Sequence, residues 1–491
     1  MAGQAPGLGG DTQPASPSTW GQSRRMSAFE TLTWRIEVDP RLRSTITIVD
    51  LLDQAPDWQR LVAAMDWGSR TVPRFRQRVV EPALPLGPAV WSTDPDFDLA
   101  YHLRRVRLPQ PGTDRALLDL AQALATVPFD RQRPPWEATL VEGLDGGRAG
   151  FVLKLHHSAT DGLGGIQLLG LLHSRTREPD PNKPQPPAES CPPSTPMGVL
   201  TQEIARAAWA IPAAAASAAL SGVGSTLRAI TRPGRTVSDA GRLVRSAQRV
   251  LGPPPVPRSP LLAGSSLSRR FEAHEVPLAA LKAAARAAAG SVNDAFLAAV
   301  LGGLRRYHEH FGVDLATIPI AIPISLRTGD DPMGGNRFAG ARLGAPMGER
   351  DPLERIRQVR ELVLEARDEP AVDALSVVAP VLSRLPGAAL GQLIGGMAGG
   401  HDVQASNVPG LAHPVYLAGA RITRMFPFGP APGCAVMAAM VSHHGTCCIG
   451  ITLDTAAVTD PGLFAACLRE GFDEILALAP SPGSAPQGEV R

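Results

Sequence analysis

The feature that most restricts the fold is a break crowded with proline. Pro179, Pro181, Pro184, Pro186, Pro187, Pro192 and Pro193 fall in one short polar stretch after His173. Proline fixes φ and lacks a backbone N–H, so this stretch holds neither a regular helix nor an interior strand. A chain of 491 residues also exceeds one ordinary domain, which runs to about 100–200 residues. The break therefore predicts two bodies, 26–175 and 266–480, joined by a Pro-rich and helical linker over 176–265. Residues 1–25, rich in Gly, Pro, Ser and Gln, read as a disordered leader, and 481–491 as a disordered tail. The leader has no apolar core of a secretory signal, and Met26 reads as a candidate start.

Both bodies read as α/β. In the first, 44–49 is β-rich, 58–65 has helical apolar spacing, and an extended segment falls between Phe97 and Pro109. A helix is expected over 116–124, strands over 136–141 and 150–155, and a helix from Gly165 to Leu172. In the second, helices are expected over 279–289 and 295–308, the latter announced by the N-cap signature Ser291-Val292-Asn293-Asp294. Strands are expected over 317–325, 437–442 and 446–454, with Pro319 and Pro323 pushing the first to a sheet edge. The linker should hold helices near 197–230 and 237–251. Its uncharged stretch Ala207 to Leu227 is Ala-rich and contains Pro212, Gly222 and Gly224, so it reads as a packed helix rather than a membrane span. Arg228, Arg232, Arg235, Arg242, Arg245 and Arg249 follow against Asp239 alone. That run is either a solvated face or a surface for anionic lipid.

Composition narrows the function classes. Forty-eight Lys and Arg against 46 Asp and Glu exclude the basic excess of a dedicated nucleic-acid binder. Cys191, Cys434, Cys447, Cys448 and Cys467 show no regular spacing, so a reducing compartment is expected rather than a disulfide framework.

The chemistry centres on His156-His157-Ser158-Ala159-Thr160-Asp161-Gly162, at the end of an apolar strand and before a glycine turn. Successive strand side chains face opposite ways, so the two histidines cannot share one role. Imidazole suits removal of a proton from a hydroxyl near neutrality, and a hydroxyl so activated can attack a thioester directly. Asp161 is placed to orient the turn or to hold an arginine. Three other readings of the same residues stand beside this one. A metal site would want a further ligand at helical spacing, a Ser-His-Asp hydrolase would want a Gly-x-Ser-x-Gly elbow, and a histidine pair can be purely structural. A second cluster, Ser442-His443-His444-Gly445-Thr446-Cys447-Cys448, matches no common zinc spacing, and its strand residues would diverge.

Several further motifs occur in order. They are Pro128-Phe129-Asp130 to Pro134-Pro135-Trp136-Glu137, Asn293-Asp294, Pro323-Ile324-Ser325-Leu326-Arg327 with Gly335-Asn336, and Ser406-Asn407-Val408-Pro409-Gly410. With the histidine motif, the set resembles the bacterial wax ester synthase/acyl-CoA:diacylglycerol acyltransferases, of the chloramphenicol acetyltransferase-like superfamily. The resemblance covers roughly residues 26–475. It implies an α/β fold of two chloramphenicol acetyltransferase-like domains, each a mixed sheet with helices, joined by a long helical crossover linker. It implies a catalytic histidine in a tunnel between them, with His157 as general base and His156 and Asp161 as supports. Gly162, Pro135, Trp136, Asn293, Asp294, Ser325, Arg327, Ser406 and Asn407 are the implied substrate-binding residues, and Arg327 is a candidate partner of Asp161.

The implied reaction is fatty acyl transfer from acyl-CoA, a co-substrate, to diacylglycerol or a long-chain alcohol. No bound cofactor or metal is implied. The implied location is cytoplasmic, peripheral to the inner membrane or lipid droplets. Four positions depart from the family pattern: Pro-Pro-Trp for Pro-Leu-Trp, Ser158 where Ala is frequent, no aspartate near Met26, and Ser442-His443-His444-Gly445 for Ser-Tyr-x-Gly. They motivate two alternatives: a specialised alcohol or amine acceptor, or a non-catalytic homologue that binds acyl-CoA or lipid.

Overall fold

The computed structural model describes residues 20–21, 23–178, 180, 183–187, 192–206, 256–325, 338–368, 379, 382–398 and 400–479. The expected helix at Ala207–Leu227, the basic stretch after it, Arg327, Gly335-Asn336 and the tail lie outside the described residues.

In the first half the elements run α1 (Ala28–Ile36), β1 (Thr45–Leu52), α2 (Trp58–Thr71), β2 (Gln77–Val80), β3 (Val90–Thr93) and α3 (Leu99–His102). Then come β4 (Leu103–Arg107), α4 (Asp114–Thr126), β5 (Trp136–Glu142), β6 (Ala149–His156) and α5 (Gly162–Leu172). The second half begins with β7 (Arg269–Pro277), α6 (Leu278–Ala287), α7 (Val292–His310), β8 (Ile318–Ser325), β9 (Phe338–Ala345), α8 (Pro352–Arg367) and α9 (Gly387–Ala398). It ends with β10 (Val403–Val408), β11 (Tyr416–Leu417), β12 (Ala420–Phe428), β13 (Val436–His443), β14 (Thr446–Asp454) and α10 (Pro461–Leu476).

Two six-stranded mixed sheets carry these halves, in the orders β11-β12-β1-β6-β5-β4 and β7-β14-β13-β10-β8-β9. β1 sits inside the first sheet with antiparallel partners on both sides. Its two faces feed different cores: Ile48 and Leu52 join the core under α2 and α5, whereas Val49 and Leu51 join the core under α4, where Phe271 and Cys448 of the second sheet also pack. A strand covered on both faces needs this nearly continuous apolar run.

The second sheet closes around α7, whose side chains are buried along most of its length. Its start forms as the sequence announces. Ser291 Oγ accepts from Asp294 N, and Asp294 Oδ2 accepts from Ser291 N at 2.7 Å, a reciprocal capping box.

Three expectations are corrected. First, the second half does not stay on its own side of the linker, because β11 and β12 complete the first sheet. β12 pairs antiparallel with β1 from Thr47↔Phe428 to Leu52↔Ile422. It then runs against β14 so closely that a Cβ on Gly450 would meet Pro427 O at 1.9 Å, and only glycine allows that approach. Second, β8 is not an edge strand, since β9 and β10 flank it. Pro319 O accepts from Asp402 N on the β10 side, and Pro323 has the same strand parity. The two nitrogens without a proton therefore face the side where β10 pairs only at Ile320 and Ala321, and the ladder to β9 is intact. Third, the packed body begins before Met26. Trp20 is fully buried in the first-half core and its indole N–H donates to Gly164 O at 2.9 Å. Arg25 pairs with Glu203 at 2.7 Å.

Among the described residues no single helix is long and apolar enough to cross a membrane.

Candidate active site

Strand geometry separates the two histidines. The β1–β6 register sets Thr45 against His156 and Ile46 against Leu155, so Leu155 and His157 share one face and His156 takes the other. The His157 backbone N–H donates to Ser44 O at 2.7 Å, which extends the ladder one residue past β6. Its half-buried side chain lines a cavity between the two sheets.

His156 is fully buried on the far face. The Ser158 backbone N–H donates to its Nδ1 at 3.0 Å, with Ser158 Oγ 2.7 Å from the same atom. A backbone N–H can only donate, so Nδ1 is the acceptor and the ring proton belongs on Nε2. Nε2 lies 3.1 Å from Glu37 Oε1, within ion-pair range though off the line of a well-aligned hydrogen bond. Trp34 and Phe129 meet the ring edge-on at 4.9 and 6.1 Å. Burial pushes the Glu37 carboxyl up, but His156, the Ser44 N–H and Arg131 together hold it below its ordinary value. His156 is thus enclosed and occupied, and it is not among the residues that line the cavity.

The turn between strand and helix is held by Asp161, the N-cap of α5. Its Oδ1 accepts from Gly164 N at 2.8 Å and its carbonyl accepts from Gly165 N. Gly162 is required by packing. A Cβ there would lie 2.6 Å from Val408 Cγ2, where the end of β10 closes on the start of α5.

The cavity holds about 430 Å³. Ile46, Ile48 and Leu155 form its first-sheet wall, Leu163, Ile166 and Leu169 of α5 another, and Ile322, Ile324, Met437 and Val441 the second-sheet wall. β12 closes it with Met425, Pro427 and Phe428. Polar groups reach it from His157, Thr160, Asp161, Asn293, Arg367, Gln404, Ser406 and Asn407. The arrangement is one imidazole and a few hydrogen-bonding groups in an apolar enclosure between two bodies, a shape suited to organic ligands.

The expected site residues divide accordingly. His157, Asp161, Gly162, Asn293, Ser406 and Asn407 meet at the cavity. Pro135 and Trp136 do not line it. The Pro135 carbonyl accepts from His156 N at 3.0 Å, and Trp136 is buried between Phe75 and His102, stacked at 4.5 and 4.6 Å. Its N–H donates to Phe75 O at 2.8 Å. Trp136 is a core residue because a large ring with one donor is fully satisfied there. Asp294 is turned into the α7 capping box, 3.5 Å from Arg360. Ser325 ends β8. The spacing around Arg367 and Gln404 carries no motif, and these residues meet the cavity only once the halves close; Glu37 carries none either, and its role shows only in its contact with His156.

Two further clusters lie off the cavity. His443 is buried, His444 is exposed at a hairpin turn with φ 43° followed by Gly445 at φ 84°, and Cys447 and Cys448 enter different cores. Burial pushes the Cys447 and Cys448 thiols up to about 11 and about 12. Asp50 and His173 form a second buried set, Oδ2 to Nε2 3.9 Å. Burial drives the Asp50 carboxyl well up, and burial with the nearby His443 drives His173 down to about 3, so burial disfavours the charged form of both groups despite their ion-pair spacing.

Comparison with known proteins gives concordant matches. A model of the wax ester synthase/diacylglycerol acyltransferase catalytic domain matches residues 26–296, and one of the WS/DGAT C-terminal domain matches 334–476. A protein of Mycobacterium tuberculosis strain H37Rv, provisionally named a diacylglycerol O-acyltransferase, is 43% identical over 470 residues, covering 94% of each chain. Another from that strain with the same provisional name is 29% identical over 488 residues, covering 93% of this chain and 98% of its own. Among solved structures, the wax ester synthase/diacylglycerol acyltransferase from Marinobacter aquaeolei VT8 superposes with TM-score 0.61 at 21% identity, over 93% of this chain and 99% of that one. The first condensation domain of the CDA synthetase superposes with TM-score 0.56 at 14% identity, over 95% and 98%. These two share the two-domain α/β fold.

Proposed function

The chain belongs to the wax ester synthase/diacylglycerol acyltransferase family of acyltransferases, and we propose that it moves a fatty acyl group from acyl-CoA to diacylglycerol or a long-chain alcohol, with His157 as general base. The observation that carries this reading is the placement of His157. Of the two motif histidines, it alone faces the apolar cavity between the halves.

In the proposed reaction His157 takes the proton of the acceptor hydroxyl as its oxygen attacks the thioester carbonyl. The tetrahedral intermediate expels CoA thiolate, the C–S bond breaks, and the imidazolium returns the proton to sulfur. No covalent acyl-enzyme forms. Apolar walls from Ile46, Ile48, Ile166 and Leu169 suit alkyl chains and keep water from the thioester. Asp161 acts through the turn it caps, and His156 through the Glu37 contact that fixes the strand end.

The acceptors partition into lipid, so we also propose a cytoplasmic enzyme working peripherally at the inner membrane or a lipid droplet. The test is the purified chain with labelled palmitoyl-CoA and each acceptor in turn. Labelled triacylglycerol or wax ester is the expected product. Turnover only of a polar alcohol or amine would overturn the acceptor assignment.

A further inference from the structure

We infer that Trp20 is a positioning residue for acyl transfer: from a strap of chain ahead of Met26 it holds the first turn of α5, and through that turn the cavity wall beside His157. This rests on the role of His157 proposed above. Trp20 is fully buried, in the core that also holds Leu168 and Leu169 of α5. Its indole N–H donates to Gly164 O at 2.9 Å, while Gly164 N donates to the Asp161 carboxylate at 2.8 Å. The peptide groups on both sides of Gly164 are thus held at once, one by the motif aspartate and one by the strap. Leu163 and Gly165, its two neighbours, line the cavity.

That turn needs outside support. Three of its four residues, Gly162, Gly164 and Gly165, are glycine. Glycine loses more backbone freedom on folding than any other residue and is a poor helix former, so the turn has little shape of its own. The Asp161 cap fixes the amide side of Gly164, and the buried indole fixes the carbonyl side. An indole buried for packing alone could satisfy its N–H on any acceptor. This one meets the turn that carries the cavity wall.

The strap is itself anchored. Gly21 turns at φ 70° against Arg74, where a Cβ would lie 2.7 Å from Arg74 Cγ. Arg74 Nη2 donates to Ser23 O at 2.7 Å, and its guanidinium lies 4.3 Å over the Trp91 ring. Trp91 N donates to Arg24 O at 2.7 Å and Met26 N to Ala89 O at 3.0 Å, so the strap pairs along β3. Arg25 pairs with Glu203 at 2.7 Å, and Arg24 Nη2 donates to Ser194 Oγ at 3.3 Å, which ties the strap to the crossover between the halves. The indole is therefore a fixed point, and it reaches the site from outside every motif.

The test is acyl transfer by the full-length Trp20→Phe protein, assayed far below its thermal midpoint. Phenylalanine keeps an aromatic ring and loses the donor. One net hydrogen bond corresponds to roughly fivefold in rate, so kcat is expected to fall by about that factor with KM for acyl-CoA unchanged. Two further variants separate positioning from loose packing. Trp20→benzothienylalanine keeps the ring shape with sulfur in place of N–H, and should show the same fall in kcat at a thermal midpoint close to the parent's. Leu61→Ala, on α2, opens a void in the same core, and should lower the midpoint while kcat of the folded protein holds. Parental kcat in the benzothienylalanine protein overturns the inference, as does an equal loss of kcat in Leu61→Ala. Turnover that survives His157→Ala overturns the proposed base and leaves the Trp20 comparison readable, so the two can fail apart.

Discussion

Replacing Gly162 by alanine puts a number on how tightly the two halves close on the motif. The new Cβ would sit 2.6 Å from Val408 Cγ2, against about 3.5–4.0 Å for ordinary carbon contact, an overlap of roughly 1 Å. Val408 is a short β-branched side chain with little rotamer freedom, so it cannot swing clear. Overpacking of this kind costs about 1–3 kcal/mol. Alanine recovers up to about 1 kcal/mol of helix propensity, less at the first position of α5. Gly162→Ala should therefore destabilise the protein by about 1–2 kcal/mol and lower turnover, because Asp161 and the start of α5 are displaced beside His157.

Urea unfolding of both single variants and of Gly162→Ala/Val408→Ala completes the cycle. In the Val408→Ala background the second change should cost nothing, a coupling of about 1–3 kcal/mol. A Gly162→Ala protein as stable as its parent, or a double variant whose costs simply add, would refute the packing account.

His156→Ala should cost about 3 kcal/mol, because it strands the buried Glu37 carboxylate. Glu37 is depressed in the folded state, so its stabilisation is present above its ordinary value and lost as pH falls. Protonation relieves the stranded carboxylate in the variant, so the gap between variant and parent should narrow as pH falls, read by denaturant midpoints from pH 7 to 4. His173 is held neutral down to about 3, whereas the unfolded chain binds that proton near 6.5. Its contribution therefore falls as pH drops through that window, by up to about 1.4 kcal/mol per pH unit. His173→Leu should flatten this acid limb in thermal melts, and an unchanged limb would contradict the assignment.

Local signals were strong enough to read much of the fold. The apolar runs of β5 and β6, the helical spacing of α4 and the capping box of α7 are decided within a few residues. Strand alternation also told the two histidines apart. What was not legible depends on contacts distant in sequence. No local pattern directs β12 to the first sheet, because its register against β1 is set by packing between Thr47↔Phe428 and Leu52↔Ile422. Pro319 and Pro323 suggested an edge because the direction of their nitrogens depends on where β10 stops. Trp20 lies in a Gly- and Pro-rich stretch, yet its partner is Gly164 O. Trp136 looked like a site residue by motif and proved to be core, because a motif also marks the residues that hold a strand end in place. Arg367 and Gln404 join the cavity from elements that no motif marks.

The central claim is that His157, and not His156, removes the proton. The most direct measurement is the rate of acyl transfer from palmitoyl-CoA to diacylglycerol or hexadecanol by His157→Ala. Its thermal midpoint should stay close to the parent's, since this side chain lines a cavity rather than a core. The account predicts a fall in kcat of about 10²–10⁴-fold with little change in the apparent affinity for acyl-CoA. A folded His157→Ala protein that turns over at the parent's rate would contradict it.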